Sequence, residues 1–205
     1  MDAAPGTGTG KIAKIKRRDA GTISRLVAVW ESAVKATHHF LAPGEMDALR
    51  PEVEGVLAAI DQLVCFSWGS VIKGFIGVAK GKIEMLFVAD DARGQGIGRQ
   101  LLVYAENELD AVYVDVNEQN TQGVEFYTHM GFVPMGRSAL DDQGRPYPIL
   151  HLKRNFYTQK ELAEALRAID STIKKCEKYS QSWRRAPPST PCWCGVSRRF
   201  ASRPN

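Results

Sequence analysis

Apolar residues cluster in several short runs bounded by turn residues, which is the pattern of β-strands. Three of these runs, LVCFSW, VIKGFIGVA and KIEMLFVA, are separated only by Gly69-Ser70 and Lys80-Gly81. Separators this short are typical of hairpin loops, so the runs predict an antiparallel meander. The runs KIAKIK, AVYVDV, GFVPMGRS and YPILHLKR complete the predicted strands.

Between these runs the apolar spacing changes to three and four residues, the period of amphipathic helices. Asp19 is placed to cap the first helix, and a second helix is predicted around residues 46–60. A third carries the stripe from Ile97 to Leu109, and a fourth is predicted from about Asn120 to Met130. The pattern therefore predicts an α/β fold with a mixed, mostly antiparallel central sheet flanked by helices.

The same patterns divide the chain into four segments. Residues 1–11 are rich in Gly, Ala, Thr and Pro and predict a flexible N-terminus. Residues 12–156 hold all the predicted strands and form the domain, and residues 181–205 predict a Pro/Arg-rich, disordered tail. Residues 157–180 predict an appended helix that docks on the domain or on a second copy; Thr158 would cap it, and its apolar stripe is Leu162, Leu166, Ile169 and Ile173.

Charge separates the C-terminal end from the domain. Residues 1–156 hold 17 basic and 19 acidic side chains, whereas residues 157–205 hold 10 basic and 4 acidic ones. A basic arm with aromatic residues could bind nucleic acid or anionic lipid, but its composition favours plain disorder, and we expect neither partner. A further hypothesis is that the tail is out-of-frame sequence. With one choice of synonymous codons for residues 183–204, translation of the same bases in the frame that starts two bases later gives a peptide with helical periodicity.

Bulk composition narrows the class of protein. The chain has 205 residues, of which 44% are apolar and 24% charged, as in globular proteins. Its four scattered cysteines suit a reducing compartment, and no apolar stretch reaches the ~18 residues that span a bilayer. The N-terminus also lacks the apolar centre of a signal peptide. We therefore expect a cytoplasmic protein, as a monomer or homodimer.

The segment RGQGIGRQLL, residues 93–102, places three glycines two residues apart at the start of a predicted helix. Glycines there let backbone amides approach an anion, whose charge the helix dipole favours. A dinucleotide fingerprint requires a third glycine where Arg99 stands, and the loop lacks the Gly-Lys-Ser/Thr of a Walker motif. Near the N-terminus, GTGTGK also fails as a Walker motif, because Pro5 and Ile12 replace required residues. Two interpretations of the loop stay open at this point: it binds another diphosphate ligand, or it is a glycine-rich cap that binds no ligand.

A second segment, VDVNEQNTQGVEFYTHMGF, supplies the context for this loop. Together the two segments resemble the GNAT superfamily of N-acetyltransferases, whose pyrophosphate loop R/Q-x-x-G-x-G/A is matched by Arg93, Gly96 and Gly98. The family's Asn-led helix ending in F-Y-x-x-x-G-F is matched by Asn120, Phe126, Tyr127, Gly131 and Phe132. The resemblance covers about residues 12–154 and is closer still to the small bacterial YjaB-type acetyltransferases.

The resemblance implies direct transfer of an acetyl group from acetyl-CoA to a primary amine of a small molecule or protein, without a metal. Tyr127 would be the general acid that protonates the coenzyme A sulfur, because a phenol is protonated at neutral pH. Asn120 would contact the pantetheine arm. The backbone of Leu86, Phe87 and Val88 would hold the pantetheine and polarise the acetyl carbonyl. The pyrophosphate would be held by Arg93, Gly94, Gln95, Gly96, Ile97, Gly98 and Arg99.

The acceptor side of the reaction leaves alternatives open. Glu84, on the strand before the glycine loop, is a candidate general base or simply an exposed strand residue. Trp30, His38 and His39 lie on and just after the first helix, where the family builds its acceptor pocket, and one histidine would hold or deprotonate the amine. A catalytically idle acyl-CoA-binding or sensing module is the alternative function, against which an intact Tyr127 argues.

Overall fold

The computed structural model describes residues 10–157 and 159–184, and in these ranges the chain forms seven strands and five α-helices. It divides into two compact units, which meet in sequence between Phe156 and Tyr157. The first unit is a mixed α/β domain, as the sequence predicts. Its elements are β1 (Gly10–Lys14), α1 (Ala20–Thr37), α2 (Glu45–Ala59), β2 (Gln62–Trp68), β3 (Val71–Ala79), β4 (Lys82–Val88), α3 (Ile97–Leu109), β5 (Tyr113–Asn117), α4 (Thr121–His129), β6 (Phe132–Ser138) and β7 (Ile149–Arg154).

Side-chain caps fix the starts of two helices that border the site. The Asp19 carboxylate accepts a hydrogen bond from the Thr22 amide at 2.8 Å, which confirms the predicted cap of α1. At α4 the Asn120 side-chain oxygen accepts from the Gly123 amide at 3.0 Å. Both caps satisfy amides that would otherwise lack a partner in the first helical turn.

The seven strands form one sheet in the order β1-β2-β3-β4-β5-β7-β6. Neighbouring strands are antiparallel except for β4 and β5, which run parallel and pair only through Lys82 with Tyr113 and Ile83 with Val114. Beyond these two pairs the strands separate, so a gap opens in the middle of the sheet. The antiparallel meander of β2, β3 and β4 is confirmed.

Different helices cover the two faces of the sheet around β3. A Cβ on Gly74 would meet Ile97 and Leu101 of α3, whereas a Cβ on Gly77 would meet Ile60 at the end of α2. Both glycines therefore allow a helix to pack closely against the strand. The core between these layers contains Trp30, which is only 4% exposed.

The second unit consists, in its described part, of the helix α5 (Gln159–Arg184). This helix extends four residues beyond the end predicted from the sequence. Leu166, Ile169 and Ile173, three members of its predicted stripe, are 63%, 55% and 50% exposed. Three predicted features lie outside the described residues: the helix cap Thr158, the start of the N-terminal segment (1–9) and the tail from residue 185 onward. None of the described helices is both long and apolar enough to cross a bilayer.

Candidate active site

The gap between β4 and β5 opens into a cavity of about 440 Å³, a size typical of small-ligand sites. Its walls come from the end of α1, from both separating strands, from the loop before α3 and from the start of α4. Every element that the sequence assigned to the acetyl-CoA site therefore borders one cavity. The glycine loop, Thr37 and His38 all line it.

β4 contains a β-bulge at the point where it leaves β5. Gly77 pairs with Met85 and Val78 pairs with Ile83, so Glu84 has no residue opposite it on β3. Past the bulge, Leu86 and Val88 pair with β3 on one side while the other side of the strand faces the gap. Backbone groups on that side lack a strand partner and are available to a bound molecule.

The glycine loop forms a concave N-terminus for α3. Gly94 and Gly96 have φ angles of +71° and +73°, in the left-handed region that favours glycine, and a Cβ on either would meet nothing within 4 Å. No side chain caps α3, so its first-turn amides stay available to an anion. Gly98 and Arg99 line the cavity beside them.

The Arg93 side chain links this loop to α4 across the cavity. It donates to the Gln122 side-chain oxygen and lies 3.6 Å from the Asp90 carboxylate. Its guanidinium is therefore held in the cavity wall, beside the uncapped end of α3. Gln95 does not line the cavity, and its side chain instead approaches the Asp91 carbonyl at 3.5 Å.

Tyr127 lines the same cavity. It is 7% exposed, and its ring packs edge-on against Phe126 and Phe132 at centroid distances of 5.2 Å and 5.5 Å. Burial raises the pKa of the Tyr127 phenol, because the charged phenolate loses its hydration. The hydroxyl therefore stays protonated at neutral pH and can donate a hydrogen bond.

His38 also lines the cavity, and its contact with Thr37 defines its tautomer. Thr37 Oγ1 donates its proton to the Ala33 carbonyl at 2.8 Å, so it accepts from His38 Nδ1, which is 2.7 Å away. His38 Nε2 consequently carries the lone pair. Burial, and to a smaller extent the neighbouring charge of His39, lower the pKa of His38 to about 4. The ring is a neutral hydrogen-bond acceptor at pH 7.

Asp115 is a further polar residue of the cavity wall, and no sequence pattern predicted it. Its carboxylate accepts from His151 Nδ1 at 2.7 Å and from Lys82 Nζ at 2.9 Å. Lys82 also lies 3.3 Å from the Glu84 carboxylate. The ammonium thus bridges the two carboxylates where β4 and β5 separate. Asp115 could have been predicted only from the register of β5 against β7, and no single sequence segment encodes that register.

The structure does not bring all the acceptor candidates together. His38 and Glu84 line the cavity, but Trp30 is buried in the core and His39 is exposed outside the cavity lining. Asn120 lines it, with its side-chain oxygen already used in capping α4. The cavity wall also contains residues to which the sequence assigned no site role: Asn117, Gln122, Gly123 and Phe126.

The chain is similar in sequence and fold to known proteins. A profile of the acetyltransferase (GNAT) domain matches residues 29–146. The peptidyl-lysine N-acetyltransferase YjaB of Salmonella typhimurium is 39% identical over 128 residues, which cover 62% of this chain and 88% of that protein. The Escherichia coli YjaB is 38% identical over 127 residues, covering 62% and 86%. The solution structure of apo YjaB from E. coli matches with a TM-score of 0.64 at 34% identity, over 71% of this chain and 97% of that one.

A sheet that separates at β4 and β5 beside a glycine-rich helix start defines an acetyltransferase fold. This chain belongs to the GNAT family, and the resemblance seen in its sequence is confirmed. It is an N-acetyltransferase, an enzyme that transfers acetyl groups from acetyl-CoA to amines. The idle binding module is not favoured.

Proposed function

We propose that this enzyme acetylates the ε-amino group of lysine residues in proteins or peptides. The observation that carries the proposal is that the glycine loop, the strand gap and Tyr127 line one cavity together with His38, Glu84 and Asp115. Glu84 and Asp115 carry two negative charges against the one positive charge of Lys82, and the remaining negative charge favours a cationic acceptor. The named activity of the YjaB relatives also supports lysine as the acceptor.

Roles for the donor half follow from the geometry. The free amides of residues 94–99 and the start of α3 would hold the pyrophosphate of acetyl-CoA, with Arg93 and Arg99 supplying positive charge. The unpaired backbone of Leu86, Phe87 and Val88 would hold the pantetheine, and the Asn120 amide NH₂ would contact its arm. These groups orient the thioester, and orientation alone accelerates such transfers strongly.

Tyr127 would supply the proton that the leaving thiolate needs. We expect Tyr127→Phe to lower kcat by about 10²-fold, because general acids contribute at least that much. The Kd for acetyl-CoA should not change, since the ring remains in place. Tyr104→Phe is the matched control, because Tyr104 is a part-buried tyrosine of α3 that does not line the cavity. Wild-type turnover in Tyr127→Phe would show that another group is the acid.

The acceptor is tested with a short peptide that carries one lysine and a blocked N-terminus. Release of free coenzyme A and a mass gain of one acetyl group on that lysine are the expected results. Free lysine and spermidine are measured in parallel. Acetylation of these amines without the peptide would assign a small-molecule acceptor instead, and coenzyme A release with no acetylated product would indicate thioester hydrolysis.

A further inference from the structure

The loop between β6 and β7 is joined to α2 by two side-chain hydrogen bonds. The Tyr147 hydroxyl donates to the Glu45 carboxylate, and Gln143 Nε2 donates to the Glu52 carboxylate at 2.6 Å. The partners lie 102 and 91 residues apart in the sequence. None of the four residues belongs to a strand, so these bonds are independent of the pairing of the sheet. We call the two bonds the clasp.

A row of three aromatic rings leads from the clasp to the cavity. The Tyr147 ring packs against Phe40 with 6.0 Å between centroids, and Phe40 packs against His38 with 5.2 Å between centroids. Both separations lie in the range of favourable aromatic pairs. His38 lines the cavity, whereas Phe40 and Tyr147 lie outside its lining. The row thus connects a residue of the cavity wall with a loop that follows β6.

We propose that Tyr147 is a positioning residue that holds His38 in the cavity wall through Phe40 and thereby sets the affinity of the enzyme for its acceptor amine. The inference deepens the proposed function and rests on it. Three observations carry it: the restraints on Tyr147, the way His38 is held, and the separation of His38 from the groups assigned to acetyl-CoA.

Tyr147 is restrained at its hydroxyl and at its ring. The Glu45 carboxylate that accepts from the hydroxyl also accepts from the Ala42 amide at 2.8 Å. These bonds lower the pKa of Glu45, and the bond from Tyr147 is the larger cause. The carboxylate is therefore charged at neutral pH, which makes it a strong acceptor. The Arg145 guanidinium lies 5.8 Å from the centroid of the Tyr147 ring, in addition to the contact with Phe40.

The loop that carries Tyr147 is folded on itself. The Asp141 carboxylate accepts from the Gln143 amide at 3.0 Å, from the Arg145 amide at 2.8 Å and from Arg145 Nε at 2.6 Å. Gly144 has a φ angle of +77°, in the left-handed region that favours glycine, where the chain reverses direction. These internal bonds place Tyr147 before its hydroxyl binds Glu45, so little conformational freedom is lost in that contact.

His38 depends on Phe40 for its place in the wall. Its hydrogen bond to Thr37 joins two consecutive residues, so that bond orients the ring relative to the end of α1 only. The contact with Phe40 is the restraint that connects the ring to another part of the fold through Tyr147. The titratable groups of this neighbourhood are His39 next in sequence, Glu84 and Asp115 in the same cavity wall, and Glu45, Arg145 and Tyr147 at the outer end of the row.

The acceptor, and not acetyl-CoA, should depend on this restraint. The groups assigned to acetyl-CoA belong to β4, the glycine loop and α4, whereas His38 directly follows α1. Burial, with a smaller contribution from His39, lowers the pKa of His38 to about 4, so the ring is neutral at pH 7 and does not repel an ammonium. A charged or displaced His38 would oppose the attraction that Glu84 and Asp115 exert on a cationic acceptor.

The kinetic test is Tyr147→Phe, which removes the hydrogen bond and keeps the ring. We expect the KM for the single-lysine peptide to rise about tenfold, roughly the factor that one hydrogen bond to a charged group contributes to an equilibrium. The kcat and the Kd for acetyl-CoA should stay within about twofold. Adding Glu45→Gln should raise KM little further, because both changes break the same bond. Tyr113→Phe is the matched control, since Tyr113 is 42% exposed and packs beneath the Lys153 ammonium, away from the clasp.

A second measurement follows His38 itself by NMR titration of its imidazole resonances. In the wild type the pKa of His38 should be about 4. In Tyr147→Ala, which also removes the ring contact with Phe40, this pKa should rise towards its ordinary value of 6.5, because the imidazolium regains hydration. Tyr113→Ala should leave the titration unchanged. If Tyr147→Ala does not fold, Tyr147→Leu takes its place.

Either of two results would overturn the inference: an unchanged peptide KM in Tyr147→Phe, or an unchanged titration of His38 in the variant that lacks the Tyr147 ring. A loss of acetyl-CoA affinity equal to the loss of peptide affinity would also overturn it, because the clasp would then support the whole site. A wild-type enzyme that acetylates no lysine peptide contradicts the proposed function instead. The NMR titration requires no acceptor, so it tests the positioning of His38 in that case as well.

Discussion

His38 shows how one residue at the site couples chemistry to stability. It adjoins His39 in the sequence, and nothing in the local pattern distinguishes the two. The structure places His38 in the cavity wall and leaves His39 exposed. Burial lowers the pKa of His38 to about 4, because the charged imidazolium would lose hydration without gaining an anionic partner. The burial that keeps His38 neutral at pH 7 therefore lowers the stability of the fold in acid.

We expect the lowered pKa of His38 to appear as acid sensitivity of the fold. The unfolded chain binds this proton near pH 6.5 and the folded chain only near pH 4, so stability is complete above pH 6.5 and is lost as the pH falls towards 4. The loss is on the order of 3 kcal/mol, at ~1.4 kcal/mol per pKa unit. His38→Gln should flatten this part of the profile in urea unfolding at pH 7, 5.5 and 4.5. His39→Gln should retain most of the slope, since burial is the larger cause, and an unaltered slope in His38→Gln would contradict the assignment.

At the scale of elements, the start of α3 is the part of the site that the chain specifies most locally. Gly96 is the N-cap residue in the left-handed region, with no side-chain cap and open space around its Cα. Gly44 is the N-cap residue of α2 with the same three properties. Gly96 lines the cavity and Gly44 does not, and the first turn of α2 is acidic whereas that of α3 is not. The two glycines therefore form a pair for separating backbone strain from ligand binding.

Gly96→Ala and Gly44→Ala should each destabilise the fold by about 1 kcal/mol, because an L-residue pays that cost in the left-handed region. Only Gly96→Ala should weaken acetyl-CoA binding, by about tenfold or more, since its methyl group enters the space where the pyrophosphate approaches the amides. Urea unfolding and calorimetric titration of acetyl-CoA measure the two effects. Equal Kd values for both variants would remove the glycine loop from the binding site.

The elements also show which parts of the site the sequence could predict. The glycine loop and α4 are contiguous segments, so their residue types and spacing carry the information locally. Asp115 and His151 are 36 residues apart and meet only because β7 inserts between β5 and β6 in a particular register. A pairing of this kind depends on tertiary structure, which no local pattern encodes. The bulge at Glu84 could not be predicted for the same reason, because it is defined by the pairing of β4 with β3.

At the scale of the whole molecule, the first unit contains everything the proposed reaction requires. The residues lining the cavity lie between Ala33 and Tyr127, and the seven-stranded sheet is complete at Arg154. The segment from Tyr157 onward contributes a helix with exposed apolar residues, a surface that would suit association rather than catalysis.

A chain that ends at Phe156 should therefore keep its fold and its ligand. We expect a melting temperature within about 5 °C of the full chain and an acetyl-CoA Kd within about twofold, because the core residues all precede the cut. If the helix joins two copies, the full chain should sediment as a dimer and the shortened chain as a monomer; if it joins nothing, both should sediment as monomers. Failure of the shortened chain to fold would show instead that the appended helix supplies stability to the domain, and the boundary between the two units would then not be a boundary between independent folding units.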